Sequence, residues 1–323
     1  MTVYYADGTL ATGSDDGTSW ADAWQGEAGL QTMLDTLTAG DVGNMRNTFT
    51  LTATLDVDTN SGSDGTPIRL LGHNAAGVVD GTQAVIDGNS AATNCMNIAN
   101  NRYVVENVRF TGATGDNIKI TGTPVEWLFL RCDIDNAGAS GLDGSLYYSI
   151  FALCRIYNNG GDGLRITPGS TQVVGCLVWS NSSEGLRVSG GVIDSAIWDN
   201  GGTAGYYTGT IGGAVLANSV VDENDARGVF SAYGPILVWS SRITNNTSVG
   251  IGTSTATIVD LYTFIKDNSA ADDGSIITSN DKGTATRTIT GTIGYIDGDN
   301  ATMADRNYGL TNAAAARRQT VTL

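Results

Sequence analysis

The fold class this sequence predicts is all-β: a single-stranded parallel β-helix, a solenoid of short strands. Three observations predict it: a repeat of about 22 residues, period-2 apolar alternation inside each repeat, and small polar turn residues between the runs. The repeat is visible as columns. Cys132, Cys154 and Cys176 follow one another at 22-residue steps. Two residues beyond them runs an aliphatic column, Ile134, Ile156, Val178, Ile197, Val221, Ile243 and Ile265, in steps of 22, 22, 19, 24, 22 and 22. Asn159, Asn181, Asn200, Asn224, Asn246 and Asn268 form an asparagine column, and Gly141, Gly163, Gly185, Gly205, Gly228 and Gly250 a glycine column. A fixed period of this length means units that bury their apolar faces only by stacking on their neighbours.

Each column has an expected role. In Cys154-Arg155-Ile156 and Gly163-Leu164-Arg165-Ile166 alternate residues are apolar, so Cys154, Ile156, Leu164 and Ile166 point inward and both arginines outward. Asn-Asn-Gly-Gly-Asp and Asn-Ser-Ser-Glu, which follow, are turn segments. The units carry too few leucines for leucine-rich repeats, and no useful helical period occurs between residues 100 and 300. The asparagines suit an amide ladder bonded from coil to coil. The glycines mark either a positive φ or a sharp bend between strands. The cysteines belong in the core as small hydrophobes, because zinc wants paired cysteines or histidines nearby and neither is present.

Three segments follow. Residues 1–44 form an N-terminal cap. Its helix, 27–37, sets Leu30, Met33, Leu34 and Leu37 on one face, with Gly40 as its stop and Trp20 and Trp24 packed beside it. Residues 45–300 form the β-helix. Residues 301–323, with the alanines 313–316 followed by Arg317 and Arg318, form a C-terminal closure or an arm. An open solenoid end exposes its core, so both ends need a cover.

The opening residues carry a resemblance. Tyr5-Ala6-Asp7-Gly8, the run Ser14 to Trp24, Leu30-Gln31 and Ala39-Gly40-Asp41 resemble the start of many right-handed parallel β-helix proteins of the pectate-lyase-like superfamily. Thr66 to Gly72 and Ala84-Val85-Ile86-Asp87-Gly88 look like the first coils of the same group. The resemblance implies a right-handed coil. It leaves activity open, because that superfamily mixes lyases, hydrolases, phage tailspikes and proteins without known activity.

Composition narrows the partners. A formal charge of −16 with three lysines, Lys119, Lys266 and Lys282, argues against a nucleic-acid binder and fits cationic partners, bound Ca²⁺ or simple solubility in a salty medium. No apolar run reaches membrane-spanning length. The first folded element follows Met1 at once, and stacked thiols stay reduced most easily in a cytosol. The expected location is therefore a virion assembled in the host cytoplasm, with an extracellular location as the alternative.

Catalysis on such a scaffold needs paired carboxylates, or a base beside a Ca²⁺-binding acidic cluster. The set of motifs that the pectin hydrolases carry is missing, and the one histidine, His73, sits at a strand end. No catalytic residue and no metal ligand is assigned. Asp162 and Glu184 each precede an arginine by three residues, Arg165 and Arg187, which predicts a surface ion-pair ladder or a polar strip for sugar hydroxyls. Asp133, Asp135 and Asp143 are read as solvated turn carboxylates, with Ca²⁺ as the alternative. Asp56-Val57-Asp58 is read as a strand entering a turn, since it lacks the rest of a calcium loop. The residues flanking the aliphatic column point outward, which puts Tyr157, Trp179 and Trp198 on successive coils with Leu177 and Phe264 beside them. This strip predicts an oligomer contact, a sugar-binding surface, or a patch covered by segment 201–213. The combined expectation is a non-catalytic bacteriophage virion component, a capsid decoration or tail-associated protein. It would be homotrimeric, touch capsid or tail proteins, contact cell-surface glycans and need no cofactor unless Ca²⁺ binds. The alternatives are a polysaccharide lyase or glycoside hydrolase, and a bacterial surface adhesin.

Overall fold

The computed structural model describes residues 1–209, 213–254, 257–261, 263–266, 268, 269 and 275–278. The expected C-terminal closure over 301–323 lies outside them. Two compact units divide the chain, residues 1–172 and 173–323. Within each, strands of three to six residues return every coil to three faces, and every named strand pairs in parallel with the coil before or after it.

In the first unit, face 1 holds Val3–Asp7, Val42–Arg46, Ile68–His73, Tyr103–Glu106, Leu128–Leu130 and Tyr147–Ala152. Face 2 holds Thr48–Thr50, Ala84–Asp87, Val108–Thr111, Asp133–Asp135 and Arg155–Tyr157. Face 3 holds Leu55–Val57, Met96–Ile98, Ile118–Ile120, Leu142–Gly144 and Leu164–Ile166. The register aligns Phe49, Ile86, Phe110, Ile134 and Ile156 as one inward column, all fully buried. The aliphatic column therefore begins earlier than the 22-residue steps suggest, with aromatic members. On face 1, Tyr103 stacks on Trp127 at 4.6 Å and Phe129 on Phe151 at 4.7 Å, adding aromatic pairing to the area buried.

In the second unit, Val178, Ile197, Val221, Ile243 and Ile265 align on face 2. Leu186, Tyr206, Val229 and Ile251 align on face 3, and Val192, Leu216 and Val238 on face 1. The corner before face 2 holds Cys176, Ser195, Ser219 and Ser241, so the cysteine column continues as serines. Each backbone N–H there donates to the next hydroxyl: Cys176 to Ser195 at 3.1 Å, Ser195 to Ser219 at 3.2 Å, Ser219 to Ser241 at 3.2 Å. Each side chain in turn donates to the carbonyl two residues back, as Cys176 does to Val174 at 3.5 Å and Ser219 to Ala217 at 2.7 Å. The cysteines are thus buried free thiols that also fill a donor position, which explains why serine replaces them.

The asparagine ladder forms. Asn200, Asn224 and Asn246 each pass a side-chain N–H to the next Oδ1, at 3.0 Å (Asn200 to Asn224) and 2.9 Å (Asn224 to Asn246, and Asn246 to Asn268). The residue before each rung turns the corner in the left-handed region: Asn158 (φ 55°), Ser180 (φ 50°), Asp199 (φ 53°), Glu223 (φ 51°) and Asn245 (φ 55°). The glycine column does not take positive φ. It is required by close approach: a Cβ on Gly185 would lie 2.8 Å from the Asn200 amide nitrogen, and one on Gly228 2.7 Å from the Gly250 carbonyl oxygen.

The cap helix spans Gly26–Thr36, with Leu30, Met33, Leu34 and the following Leu37 buried. It crosses over Gly43, where a Cβ would sit 2.9 Å from the Met33 sulfur, so it covers the first coil. Gly40 follows with φ 86°. Trp24 packs as expected, stacked on Tyr4 at 5.3 Å and against Gly29 of the helix. Trp20 instead lies against Tyr5 and His73, with the Arg46 guanidinium 4.5 Å from its ring centre. It seals the side of the first coils rather than the helix.

Candidate functional site

The outer faces of the coils between Arg109 and Arg165 carry a set of paired charged side chains. They occupy outward positions because the inward ones are taken by the aliphatic columns. On face 2, Arg109 grips Asp135 with two hydrogen bonds, 2.8 and 2.6 Å, and Arg155 grips Asp133 at 2.8 and 2.5 Å. Thr111 and Asn136 also donate to Asp135. Both carboxylates are consequently buried, Asp135 completely. This corrects the solvated-turn reading: the two aspartates lie on the strand Asp133–Asp135, under guanidinium forks. The hydrogen bonds that Arg109 donates to Asp135, and the charge of that carboxylate, raise the Arg109 pKa above its ordinary value, although burial acts the other way. Tyr157 is half-buried beside these groups, and burial together with Asp135 pushes its phenol pKa up.

On face 3, Lys119 donates to Asp143 and, at 3.2 Å, to Asp116, while Arg165 forks onto Asp143 at 2.5 and 2.9 Å. Burial pulls the Lys119 ammonium down, but hydrogen bonds to Asp143 and Asp116 and their charges outweigh it, so its pKa lies above the ordinary lysine value. Burial pushes Asp143 up, and the bonds from Arg165 and Lys119 outweigh that, so its carboxyl stays below the usual carboxylate range. Hydrogen bonding to Asp143 raises the Arg165 pKa, and the Asp162 charge acts on it as well, in the same direction. Arg165 reaches across the strand ladder to Asp143, its neighbour one coil earlier, and Asp162 is buried in the turn. The ladder also runs between strand positions, because paired strands hold outward side chains about 5 Å apart.

In the second unit, Arg187 does pair with Glu184, three residues before it, at 2.9 Å, although Glu184 is buried rather than on the surface. The Arg187 guanidinium also lies 4.7 Å from the Tyr207 ring centre, Tyr207 packs on Phe230 at 5.5 Å, and Arg227 covers Phe230 at 4.6 Å. This arginine–aromatic row was readable in the sequence: Tyr207 and Phe230 stand two residues after Gly205 and Gly228, the register of Arg165 and Arg187.

Of the aromatic strip, Tyr157 lies on face 2 of the first unit and Trp179 and Trp198 on face 2 of the second. Trp179 and Trp198 stack at 5.1 Å with their planes 4° apart. Leu177 is 42% exposed and Val220, in the same column, 36%; Phe264 is half-buried. The two rings thus face each other across neighbouring coils. Asp222 pairs with Trp198 on the next coil.

Other sequence candidates resolve structurally. His73 bonds to Asn44 at 2.9 Å and to the Gly77 carbonyl at 3.2 Å, and burial pulls its pKa down. Asp56 lies on the strand Leu55–Val57 and accepts from Asn97 at 2.8 Å. Among the described residues no three histidine, cysteine or carboxylate side chains converge as metal ligands, and no helix is long and apolar enough to cross a membrane.

No family model matches the chain, and no curated protein matches it in sequence. Solved structures do. Pectate lyase Pel9A is similar over 87% of this chain and 82% of its own, with 19% identity and a TM-score of 0.62. A rhamnogalacturonan lyase is similar over 81% and 82%, with 16% identity and a TM-score of 0.62. ORF18 of Geobacillus virus E2 is similar over 87% of this chain and 62% of its own, with 10% identity and a TM-score of 0.50. At these identities the likeness concerns architecture: the chain has the right-handed parallel β-helix fold of the pectate-lyase-like proteins.

Proposed function

We propose that this protein is a non-catalytic β-helix subunit of a bacteriophage virion that presents its outer faces to glycans. One observation carries the non-catalytic part. Every basic side chain between residues 109 and 187 is held by a carboxylate: Arg109, Lys119, Arg131, Arg155, Arg165 and Arg187. A lyase needs a base that can accept a proton at working pH. Here hydrogen bonding and neighbouring charge move Lys119, Arg109, Arg155 and Arg165 toward their protonated forms. The carboxylates are tied up by the same bonds. Such rows give rigidity and a fixed polar surface rather than proton transfer. The virion role draws support from the shared architecture of the Geobacillus virus E2 ORF18 protein, which adds a phage member to the range of this fold.

The second reading, a polysaccharide lyase, has its own supporting observation: Lys119, Arg165, Asp116 and Asp143 lie within one cluster. Incubation with polygalacturonate, alginate and rhamnogalacturonan, with and without Ca²⁺, separates the two. The proposal expects neither unsaturated products by ultraviolet absorbance nor new reducing ends. Products that vanish in Lys119→Met would establish the lyase instead.

A further inference from the structure

We infer that Tyr148, Ser170 and Gln172 form a subsite for a single uncharged pyranose ring on face 1 of the first unit; this deepens the glycan-contact reading and rests on it. The three side chains, with Ser149 and Ile150, line a depression of about 220 Å³. That is below the roughly 300–1,000 Å³ of pockets for drug-sized ligands, so it fits one ring and not a chain. Every lining residue is uncharged in a protein whose net charge is −16. A neutral sugar is thus favoured over a uronate.

Tyr148 is 71% exposed and sits at φ 52°, the left-handed region. It occupies the corner that Arg102 (φ 64°) and Glu126 (φ 60°) occupy in the coils before it. Those two residues bond to each other at 2.8 Å, whereas the Tyr148 ring has no aromatic or hydrogen-bonding partner among the described residues. Glycine and asparagine are the residues this corner favours. The left-handed corner recurs from coil to coil, so what sets Tyr148 apart is its side chain, a large exposed ring that serves neither the core nor a neighbouring coil.

Unlike the mutually stacked Trp179 and Trp198, this ring keeps its faces open to the C–H face of a pyranose. The exposed Ser170 hydroxyl and Gln172 amide make no hydrogen bond to a described residue, and they supply donors and acceptors for ring hydroxyls. Ser149 forms the floor. Its hydroxyl is already used, accepting from the Trp127 N–H at 3.0 Å and donating to the Tyr147 carbonyl at 2.9 Å.

The test is calorimetric titration of the full chain with cellohexaose, mannohexaose, maltohexaose and tetragalacturonate, beside Tyr148→Asn, Gln172→Ala and Trp198→Ala. Asparagine suits the left-handed corner, so Tyr148→Asn is expected to keep the wild-type thermal midpoint. The expected result is saturable binding of at least one neutral hexaose, weakened tenfold or more by Tyr148→Asn, about threefold by Gln172→Ala, and unchanged by Trp198→Ala. Binding that survives Tyr148→Asn overturns the subsite and leaves glycan contact standing elsewhere. Preference for tetragalacturonate overturns the neutral class. Absence of binding to all four overturns both the subsite and the glycan-contact reading. Self-association lost in Tyr148→Asn would make the depression an interface between copies and overturn the proposal.

Discussion

Replacing Asn224 by alanine removes one rung from the middle of the amide ladder, and the cost follows from its bonds. The Asn224 Oδ1 accepts from the Asn200 backbone N–H at 3.2 Å and from its amide at 3.0 Å. Its Nδ2 donates to the Asn246 Oδ1 at 2.9 Å, the Asp222 carbonyl at 3.0 Å and the Ile197 carbonyl at 3.4 Å. The Asn200 amide keeps the Trp198 carbonyl and the Asn246 Oδ1 keeps the Asn224 backbone N–H. The Asn200 backbone N–H loses its acceptor. One orphaned buried donor costs about 1–3 kcal/mol, and each good hydrogen bond lost adds about 0.5–1.5 kcal/mol. With Asn224 fully buried, the expected total is about 3–5 kcal/mol. The assay is urea unfolding by circular dichroism. Asn224→Asp sharpens it, because a carboxylate cannot donate to Asn246 and buries a charge; it should cost at least as much as alanine at neutral pH. A loss below about 1 kcal/mol for Asn224→Ala, or an aspartate variant as stable as wild type, would refute the ladder as a source of stability.

Two further outcomes test the rest of the molecule. Asp143 has a folded pKa below its unfolded value, so its contribution is complete above about pH 4 and is lost as pH falls through the folded value. Asp143→Asn should therefore lower the urea midpoint near neutral pH by the equivalent of about 1–3 kcal/mol and flatten its acid dependence; an unchanged acid limb would count against the Lys119–Asp143–Arg165 row. Burial pushes the Cys95 thiol from 9.0 up to about 12, roughly a thousandfold less thiolate near neutral pH. All four cysteines are buried. Native protein should leave Ellman's reagent untouched and release all four thiols in guanidinium chloride, and a fast-reacting native thiol would contradict the closed core.

Much of the fold was legible because a solenoid repeats its chemistry at fixed steps. The Ile134–Ile265 column, the asparagine ladder and the strand alternation all came from spacing and lie where spacing put them. Phe49 and Phe110 do not show in the spacing, and Ile86 shows only as part of an early coil, because the early coils break the 22-residue step and change residue type. The site was less legible. Spacing along the chain suggested Asp162 for Arg165, whose charge does act on it, but could not show that Asp143 stands opposite across a parallel ladder. The same blindness hid Arg109 on Asp135. Tyr148 gave no periodic signal at all; its interest lies in an exposed ring and a left-handed backbone, neither of which can be read from residue type.

The sequence by itself determined the architecture and which residues point in or out, since both follow from a period of about 22 and an alternation of two. Only the tertiary structure decided which outward residues are spent on one another. Trp179 and Trp198 use one ring face each on the other, the arginines of faces 2 and 3 neutralise the aspartates beside them, and Tyr148 is left open. The physical reason is that pairing between coils acts across the stack, between residues some 22 positions apart, where distance is set by strand register rather than by sequence.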